Sequence, residues 1–281
     1  MSEKEKVFVI LDPTTMEQPS LVMAESIAQR GRAATLHVYC SVDEKLIRAV
    51  SGVNSEQTHA DTKERVTNWI ERLVTPTRDL GLTVDTEVEI SKDWRKSTVA
   101  AVARQNCILA IKSMSPQKKI TRLFRDTSDW RLLRDSACPV YLVKTSSNRP
   151  VRKILAAIKH RTEKKLYTEA NEMILQRTRG IAAGLNAEMF VVTAYKDNFH
   201  YPDRQKFADR CGLPRNQVRA VMGNPQEAIA TAAKEIGADL VVIARVGKPG
   251  AKHDVGHTAE KIIGALDANI LVLPMTETDS G

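Results

Sequence analysis

An internal repeat constrains the fold of this chain more than any other feature. Short apolar runs rich in β-branched residues alternate with longer segments at helical spacing, and this alternation occurs twice along 281 residues. The first half contains the runs Val7–Leu11, Thr35–Tyr39, Thr83–Ile90, Cys107–Ile111 and Val140–Val143. The second half contains the runs Lys153–Ile158, Met189–Tyr195, Gln217–Met222, Leu240–Ala244 and Ile270–Leu273. Their length and composition predict ten strands, five in each half.

The segments between these strands predict crossover helices. Apolar residues recur every three or four positions in Thr62–Leu80, Tyr167–Leu185 and Pro225–Ile236, which is typical of helices with one buried face. Strand–helix alternation implies parallel strand pairing with helices on both faces of the sheet. The sequence therefore predicts an α/β protein of two tandem doubly wound five-stranded domains, 1–146 and 151–281, joined by a polar linker at 145–150.

The last strand of each half raises the question of how the halves pack. Val140–Val143 and Ile270–Leu273 are apolar and would be exposed sheet edges in isolated domains. Because such edges invite pairing, we expect the two halves to pack as a pseudo-dimer across a pseudo-two-fold axis. A homodimer of the whole chain stays an open alternative.

Composition and charge exclude several classes of function. The net charge is +8, but the 42 basic residues are dispersed, so no nucleic-acid partner is expected. No run of 18 apolar residues predicts a membrane span. The mixed-charge N-terminus does not resemble a signal peptide, which favours a cytoplasmic location. The four scattered cysteines form no Cys-x-x-Cys motif and predict reduced, mostly buried thiols.

Motifs for common catalytic chemistries are missing from the sequence. The chain has no Gly-x-Ser-x-Gly, no His-Glu-x-x-His and no Walker Gly-x4-Gly-Lys-(Ser/Thr) sequence. We therefore assign no catalytic residue and favour a binding protein, with a slow ATPase as an alternative. His253 and His257 have the spacing of a metal-binding pair, but no third ligand is evident, so no metal site is assigned.

A glycine loop follows the fourth strand of the second half and is the strongest candidate binding motif. Gly247, Gly250 and Gly256 precede a helical segment that begins near His257 and Thr258. Backbone N–H groups and the positive end of a helix favour a phosphate or another anion at such a place. Lys159 and Arg245 add positive charge near the same strand ends. These residues predict a site for a small anionic ligand between the first and fourth strands of the second half.

The sequence resembles the universal stress protein family, in its tandem-domain form, over nearly its whole length. The resemblance is carried by short motifs at the strand ends: Val7-Phe-Val-Ile-Leu-Asp-Pro13, Thr127-Ser-Asp-Trp-Arg-Leu-Leu133, Gly223-Asn-Pro-Gln-Glu-Ala-Ile229, Gly237-Ala-Asp-Leu-Val-Val-Ile243 and Gly256-His-Thr-Ala-Glu260. It implies strand order 3-2-1-4-5 in each domain. It also implies a stress-response role, and nucleotide-binding members hold ATP with Gly-x2-Gly-x9-Gly-(Ser/Thr) and an Asp after the first strand.

Neither half carries that ATP motif completely. In the second half Ala244 stands at the first glycine, eight residues instead of nine separate Gly247 from Gly256, and Lys159 replaces the Asp. In the first half Asp12 is present, but Ile111 and Met114 stand at the glycine positions. We therefore expect weak or no binding of ATP or AMP, with Asp12 marking a possible first pocket. A ligand-free scaffold that acts through protein partners is the remaining alternative.

The segment Glu44–Ala60 allows two interpretations. Leu46, Ile47, Ala49 and Val50 suit a short helix at the end of the sheet. A lid over an apolar pocket is the alternative.

Overall fold

The computed structural model describes residues 5–30, 35–52, 55–114, 128–144, 150–246 and 266–275. These residues form two compact units, one on each side of the predicted linker. Residues 145–149 lie outside the described part of the chain. The domain limits 1–146 and 151–281 and the pseudo-dimeric packing therefore stay predictions.

The first unit is a parallel five-stranded sheet with order β3-β2-β1-β4-β5. Its elements are β1 (Lys6–Ile10), α1 (Pro19–Arg30), β2 (Thr35–Asp43), α2 (Glu44–Ser51), α3 (Glu56–Asp79), β3 (Thr83–Ser91), α4 (Trp94–Arg104), β4 (Leu109–Met114), α5 (Ser128–Asp135) and β5 (Val140–Lys144). The central strands are buried on both faces, which explains their continuous apolar sequences.

The second unit repeats this topology with order β8-β7-β6-β9-β10. Its elements are β6 (Lys153–Ala157), α6 (Lys165–Leu185), β7 (Glu188–Tyr195), α7 (Arg204–Cys211), β8 (Val218–Met222), α8 (Pro225–Ile236), β9 (Leu240–Val246) and β10 (Asn269–Met275), with short 3₁₀ turns at Asn198–His200 and Arg215–Gln217. Numbered within its own unit, each sheet has the order 3-2-1-4-5. The α/β fold class and the strand order implied by the resemblance are therefore confirmed.

Several predicted boundaries in the first unit are wrong, among them the end of β2, which extends to Asp43 instead of Tyr39. Strand β4 starts at Leu109 and extends to Met114, whereas the apolar run predicted Cys107–Ile111. The run begins early because buried Cys107 belongs to the connection after α4, where Asn106 adopts a left-handed φ of 46°. Helix α3 begins at Glu56 instead of Thr62, because Ser55 caps it by accepting a hydrogen bond from the Thr58 N–H at 3.2 Å.

Local capping also decides the structure of Glu44–Ala60. The Asp43 carboxylate accepts a hydrogen bond from the Lys45 N–H at 2.9 Å and starts α2. Gly52, with a φ of 70°, ends the helix in a conformation that few other residues adopt readily. The segment therefore forms a short helix followed by the start of α3, and its interpretation as a lid stays untested.

Helix α7 was not predicted from the sequence. Its eight residues are mostly polar, and only Phe207, Ala208 and Cys211 are buried. Such a short apolar face gives too few repeats to reveal helical periodicity. No helix in the described part of the chain has the length and hydropathy needed to cross a membrane.

Candidate ligand site

The candidate site lies at the carboxyl end of the second sheet, where its topology switches direction. Strand β6 pairs with β7 on one side and with β9 on the other. The chain passes from β6 through α6 to β7, whereas β9 is reached through α8. Connections that leave neighbouring strands in opposite directions open a crevice at this edge, and ligands of α/β sheets bind there.

A cavity of about 360 Å³ occupies this crevice. Its wall comes from β6 and the residues that follow it, from α6, β7, α8, β9 and β10. The apolar lining includes Ala157, Ile158, Ala170, Ile174, Val192, Ala194, Pro225, Ile229, Ile243, Ala244, Val246 and Val272. The polar lining consists of Lys159, Tyr167, Asn171 and Arg245. Ligand pockets commonly combine such an apolar wall with a few polar groups that orient the ligand.

The backbone of Lys159 is held at the cavity by the buried side chain of Asn171. The Lys159 N–H donates to Asn171 Oδ1 at 2.9 Å, and Asn171 Nδ2 donates to the Lys159 carbonyl oxygen at 2.7 Å. The Lys159 ammonium lies 4.5 Å from the centroid of the Tyr167 ring. At that distance the ring face attracts the cation, so both the backbone and the head group of Lys159 are positioned.

Arg245 brings a second positive charge to the cavity wall. It lies on β9 opposite Pro274 of β10 and is 2% exposed. A guanidinium stays charged at all ordinary pH values. Its burial places the guanidinium in surroundings that screen a charge less than water does.

His160 follows Lys159 and packs beneath the same strand ends. Its N–H donates to Thr193 Oγ1 at 3.0 Å, and its ring meets the edge of Phe207 at a centroid distance of 5.1 Å. Burial lowers the pKa of the imidazole, and the positive charges of Arg161 and Arg210 lower it further. The ring is therefore neutral near pH 7, and its Nδ1 is buried without a hydrogen-bond partner among the described residues.

The structure places three of the sequence-predicted site residues. Lys159 and Arg245 lie on the wall of one cavity, whereas Asp12 lies in the other unit. The remaining candidates, Gly247, Gly250, Gly256, His257 and Thr258, lie outside the described residues, as does His253. Their role in binding an anion stays a prediction.

Asp12 takes part in a local turn after β1. Its Oδ1 accepts hydrogen bonds from the Thr14 N–H at 2.9 Å and from the Thr14 hydroxyl at 2.6 Å. The buried Gln18 side chain accepts from the Asp12 N–H at 3.0 Å and donates to the Asp12 carbonyl at 2.7 Å. These contacts give Asp12 a structural role in the turn.

The amide side chains of Asn171 and Gln18, which hold the backbone of Lys159 and Asp12, were not identified from the sequence. Asn171 lies on the buried face of α6, between Ala170 and Ile174. A polar residue in an apolar helical stripe is a usable signal, because a buried amide needs hydrogen-bond partners. No group of three or more His, Cys, Asp or Glu side chains within the described ranges could hold a metal ion.

Two repeats of a doubly wound sheet, one with a crevice at its switch point, define a tandem α/β protein with a candidate ligand pocket. The family model described as "Universal stress protein family" matches residues 151–274. The chain is 23% identical to the universal stress protein E homolog of Haemophilus influenzae, over 97% of this chain and 98% of that relative. It is also 23% identical to universal stress protein E of Escherichia coli K12, over 97% of this chain and 95% of that relative.

The fold comparison agrees with the sequence comparisons. The crystal structure of a universal stress protein from Pseudomonas aeruginosa UCBPP-PA14 superposes with a TM-score of 0.75 at 22% identity, covering 97% of this chain and 94% of that one. Residues 151–274 thus carry the domain of the universal stress protein family, and the resemblance of the whole chain to tandem-domain universal stress proteins is confirmed. This similarity supports a role in stress response.

Proposed function

We propose that the second unit binds a small amphipathic anion as part of a stress response, without a dedicated reaction. The observation that carries this proposal is the cavity at the switch point, which combines a largely apolar wall with Lys159 and Arg245. An apolar ligand body would fill the cavity, and the anionic group would lie near the two cations.

The chemistry of the wall supports a ligand that is more apolar than a nucleotide. Burial of apolar surface contributes about 25 cal/mol per Å², so an alkyl or aryl body gains affinity from this lining. Lys159 stands where nucleotide-binding members of the family have an Asp, and a cation cannot accept the hydrogen bonds that a carboxylate accepts. ATP therefore fits the site poorly, while a negatively charged head group keeps its attraction.

A titration with three matched probes tests this proposal. Octyl phosphate carries both an apolar body and an anion, inorganic phosphate carries only the anion, and octanol carries only the apolar body. We expect octyl phosphate to bind more tightly than either fragment in calorimetry. Lys159→Met should weaken octyl phosphate about fivefold, the effect of about 1 kcal/mol for an exposed ion pair. It should leave octanol unchanged.

Lys234→Met is the matched control, because Lys234 is an exposed lysine at the far end of α8. Equal effects of the two variants would show that the charge acts only at long range.

Native mass spectrometry of the purified chain supplies an independent readout, and a co-purified amphipathic anion would support the proposal. If none of the three probes binds and no ligand co-purifies, the scaffold alternative replaces it. Phosphate release from ATP that Gly256→Val abolishes would favour the ATPase alternative.

A further inference from the structure

The fold brings two cysteines of the first unit into contact. Cys107 Sγ and Cys138 Sγ lie 3.2 Å apart, although 31 positions separate them in the sequence. Cys107 precedes β4 and Cys138 precedes β5, and these two strands are neighbours in the sheet. Both thiols are free in the structure. This contact is independent of the ligand cavity in the second unit.

We propose that Cys107 and Cys138 form a site of reversible oxidation, at which a hydroperoxide converts the two thiols into an intrachain disulfide. The two sulfur atoms are already in direct contact at 3.2 Å. A bond of about 2.05 Å requires them to approach by roughly 1.2 Å more.

The surroundings make the two sulfur atoms unequal. The hydrogen bond between the two thiols lowers the pKa of Cys138 against the opposing effect of burial, and the Ser136 hydroxyl, 3.5 Å from its sulfur, lowers it further. The same thiol pairing, together with burial, raises the pKa of Cys107. Because the thiolate is the nucleophile, the Ser136 contact favours Cys138 as the sulfur that attacks the oxidant and Cys107 as the sulfur that resolves the product.

The reaction balances in two steps. The Cys138 thiolate attacks one oxygen of the hydroperoxide, the O–O bond breaks, and Cys138 becomes a sulfenic acid while the alkoxide or hydroxide leaves and takes up a proton. The Cys107 thiol then attacks the Cys138 sulfur, and its proton leaves with the hydroxyl group as water. Two thiols are thus oxidised while the hydroperoxide is reduced to an alcohol or water. An external dithiol reverses the change by thiol–disulfide exchange.

The other two cysteines provide an internal comparison. All four cysteines are buried, Cys107 and Cys138 at 7% and 9% exposure and Cys40 and Cys211 at 0%. Burial raises the pKa of the last two thiols, to about 12 for Cys40 and about 11 for Cys211. Neither has a thiol partner recorded in the structure. Oxidation should therefore be confined to the pair, which distinguishes a specific site from general oxidative damage.

Peptide mapping of the wild-type chain after exposure to hydrogen peroxide tests the proposal without any substitution. Trypsin cleavage after Arg104, Lys112, Arg134 and Lys144 releases peptides 105–112 and 135–144, each with one cysteine of the pair. We expect these two peptides to appear linked, with an intact mass lower by about 2 Da. Dithiothreitol should restore the original mass.

Two variants sharpen the result. Cys40→Ala/Cys211→Ala keeps the pair and should still lose two thiols in the folded state. Cys107→Ala removes the resolving thiol, so Cys138 should be trapped as a sulfenic acid that dimedone labels. The proposal is wrong if the wild-type chain keeps all four thiols until it is unfolded. It is equally wrong if oxidation links chains to one another, or proceeds to sulfinic acid without the linked peptides.

Discussion

Asn171 holds the backbone of Lys159 from both sides, accepting from its N–H and donating to its carbonyl. Gln18 makes the same pair of hydrogen bonds to Asp12 in the first unit. In each unit an amide near the first helix thus fixes the chain just beyond the first strand. The two repeats keep this device although the residues that they hold have opposite charges. These paired hydrogen bonds therefore stabilise the backbone after the first strand in both units. The charge presented there depends on the residue whose backbone is held, Lys159 or Asp12.

Replacing Asn171 tests this relationship. Asn171→Ala removes both hydrogen bonds and leaves the Lys159 N–H and carbonyl without their partner, so we expect a loss of about 1–3 kcal/mol in the free energy of unfolding. Urea unfolding followed by far-ultraviolet circular dichroism measures this loss. The affinity for octyl phosphate should fall as well, because the backbone that positions the Lys159 side chain is no longer held in place. Glu172→Ala, at the exposed neighbouring position, is the control and should change neither quantity appreciably.

Filling the cavity should block binding without harming the fold. Ala194 lies on the cavity wall near the carboxyl end of β7, so the ring of Ala194→Phe would occupy space that the ligand body needs. We expect loss of octyl phosphate binding at a nearly unchanged melting temperature. Ala183→Phe adds the same ring at an exposed position of α6 and should bind normally. Normal binding by Ala194→Phe would place the ligand elsewhere.

His160 should make stability depend on pH. Because burial and the charges of Arg161 and Arg210 lower its pKa in the folded state, the unfolded chain takes up the proton at higher pH. The free energy of unfolding is therefore free of this His160 effect above the unfolded-state pKa of about 6.5. It falls as the pH drops from there to the lower pKa of His160 in the folded state. Comparing urea midpoints at pH 7.5 and pH 5.0 measures this fall. His160→Leu should show a smaller fall, and an identical pH profile in both proteins would assign the effect to other groups.

Asp12 should matter for the turn and not for a ligand. Asp12→Ala removes two hydrogen bonds to Thr14 at a partly exposed site, so we expect a loss of about 0.5–1.5 kcal/mol in stability. The affinities for octyl phosphate and ATP should stay those of the wild type. All three tryptophans, Trp69, Trp94 and Trp130, lie in the first half of the sequence, so their fluorescence reports unfolding there. A drop in affinity on substitution would identify a binding site in the first unit.

The sequence predicted those features that depend on local patterns. Helix α8 has the predicted bounds, because Asn224 caps its start and Gly237 its end. The strand order was implied by the resemblance to the family. The contact between Cys107 and Cys138 was not predicted, because it depends on where β4 and β5 start as well as on their adjacency. The cavity was not predictable in the same way. Its wall combines residues from six different parts of the second unit, and neither its volume nor the bonds of Asn171 follow from any spacing along the chain.

ATP should bind weakly or not at all, because the motif of the family is incomplete in both halves. In the second half the Asp and one loop residue are lost, which removes about two hydrogen bonds to charged groups. Each such loss costs about 1.5–3 kcal/mol, so the affinity should fall by roughly two to four decades. Calorimetric titration of ATP into the wild-type chain measures this, with Gly250→Val/Gly256→Val as the comparison. Submicromolar binding to the wild type that the double variant loses would show that the glycine loop suffices for ATP despite Ala244 and Lys159. An anion preference without such ATP binding is the outcome that we expect, since Lys159 and Arg245 attract negative charge whatever the loop contributes.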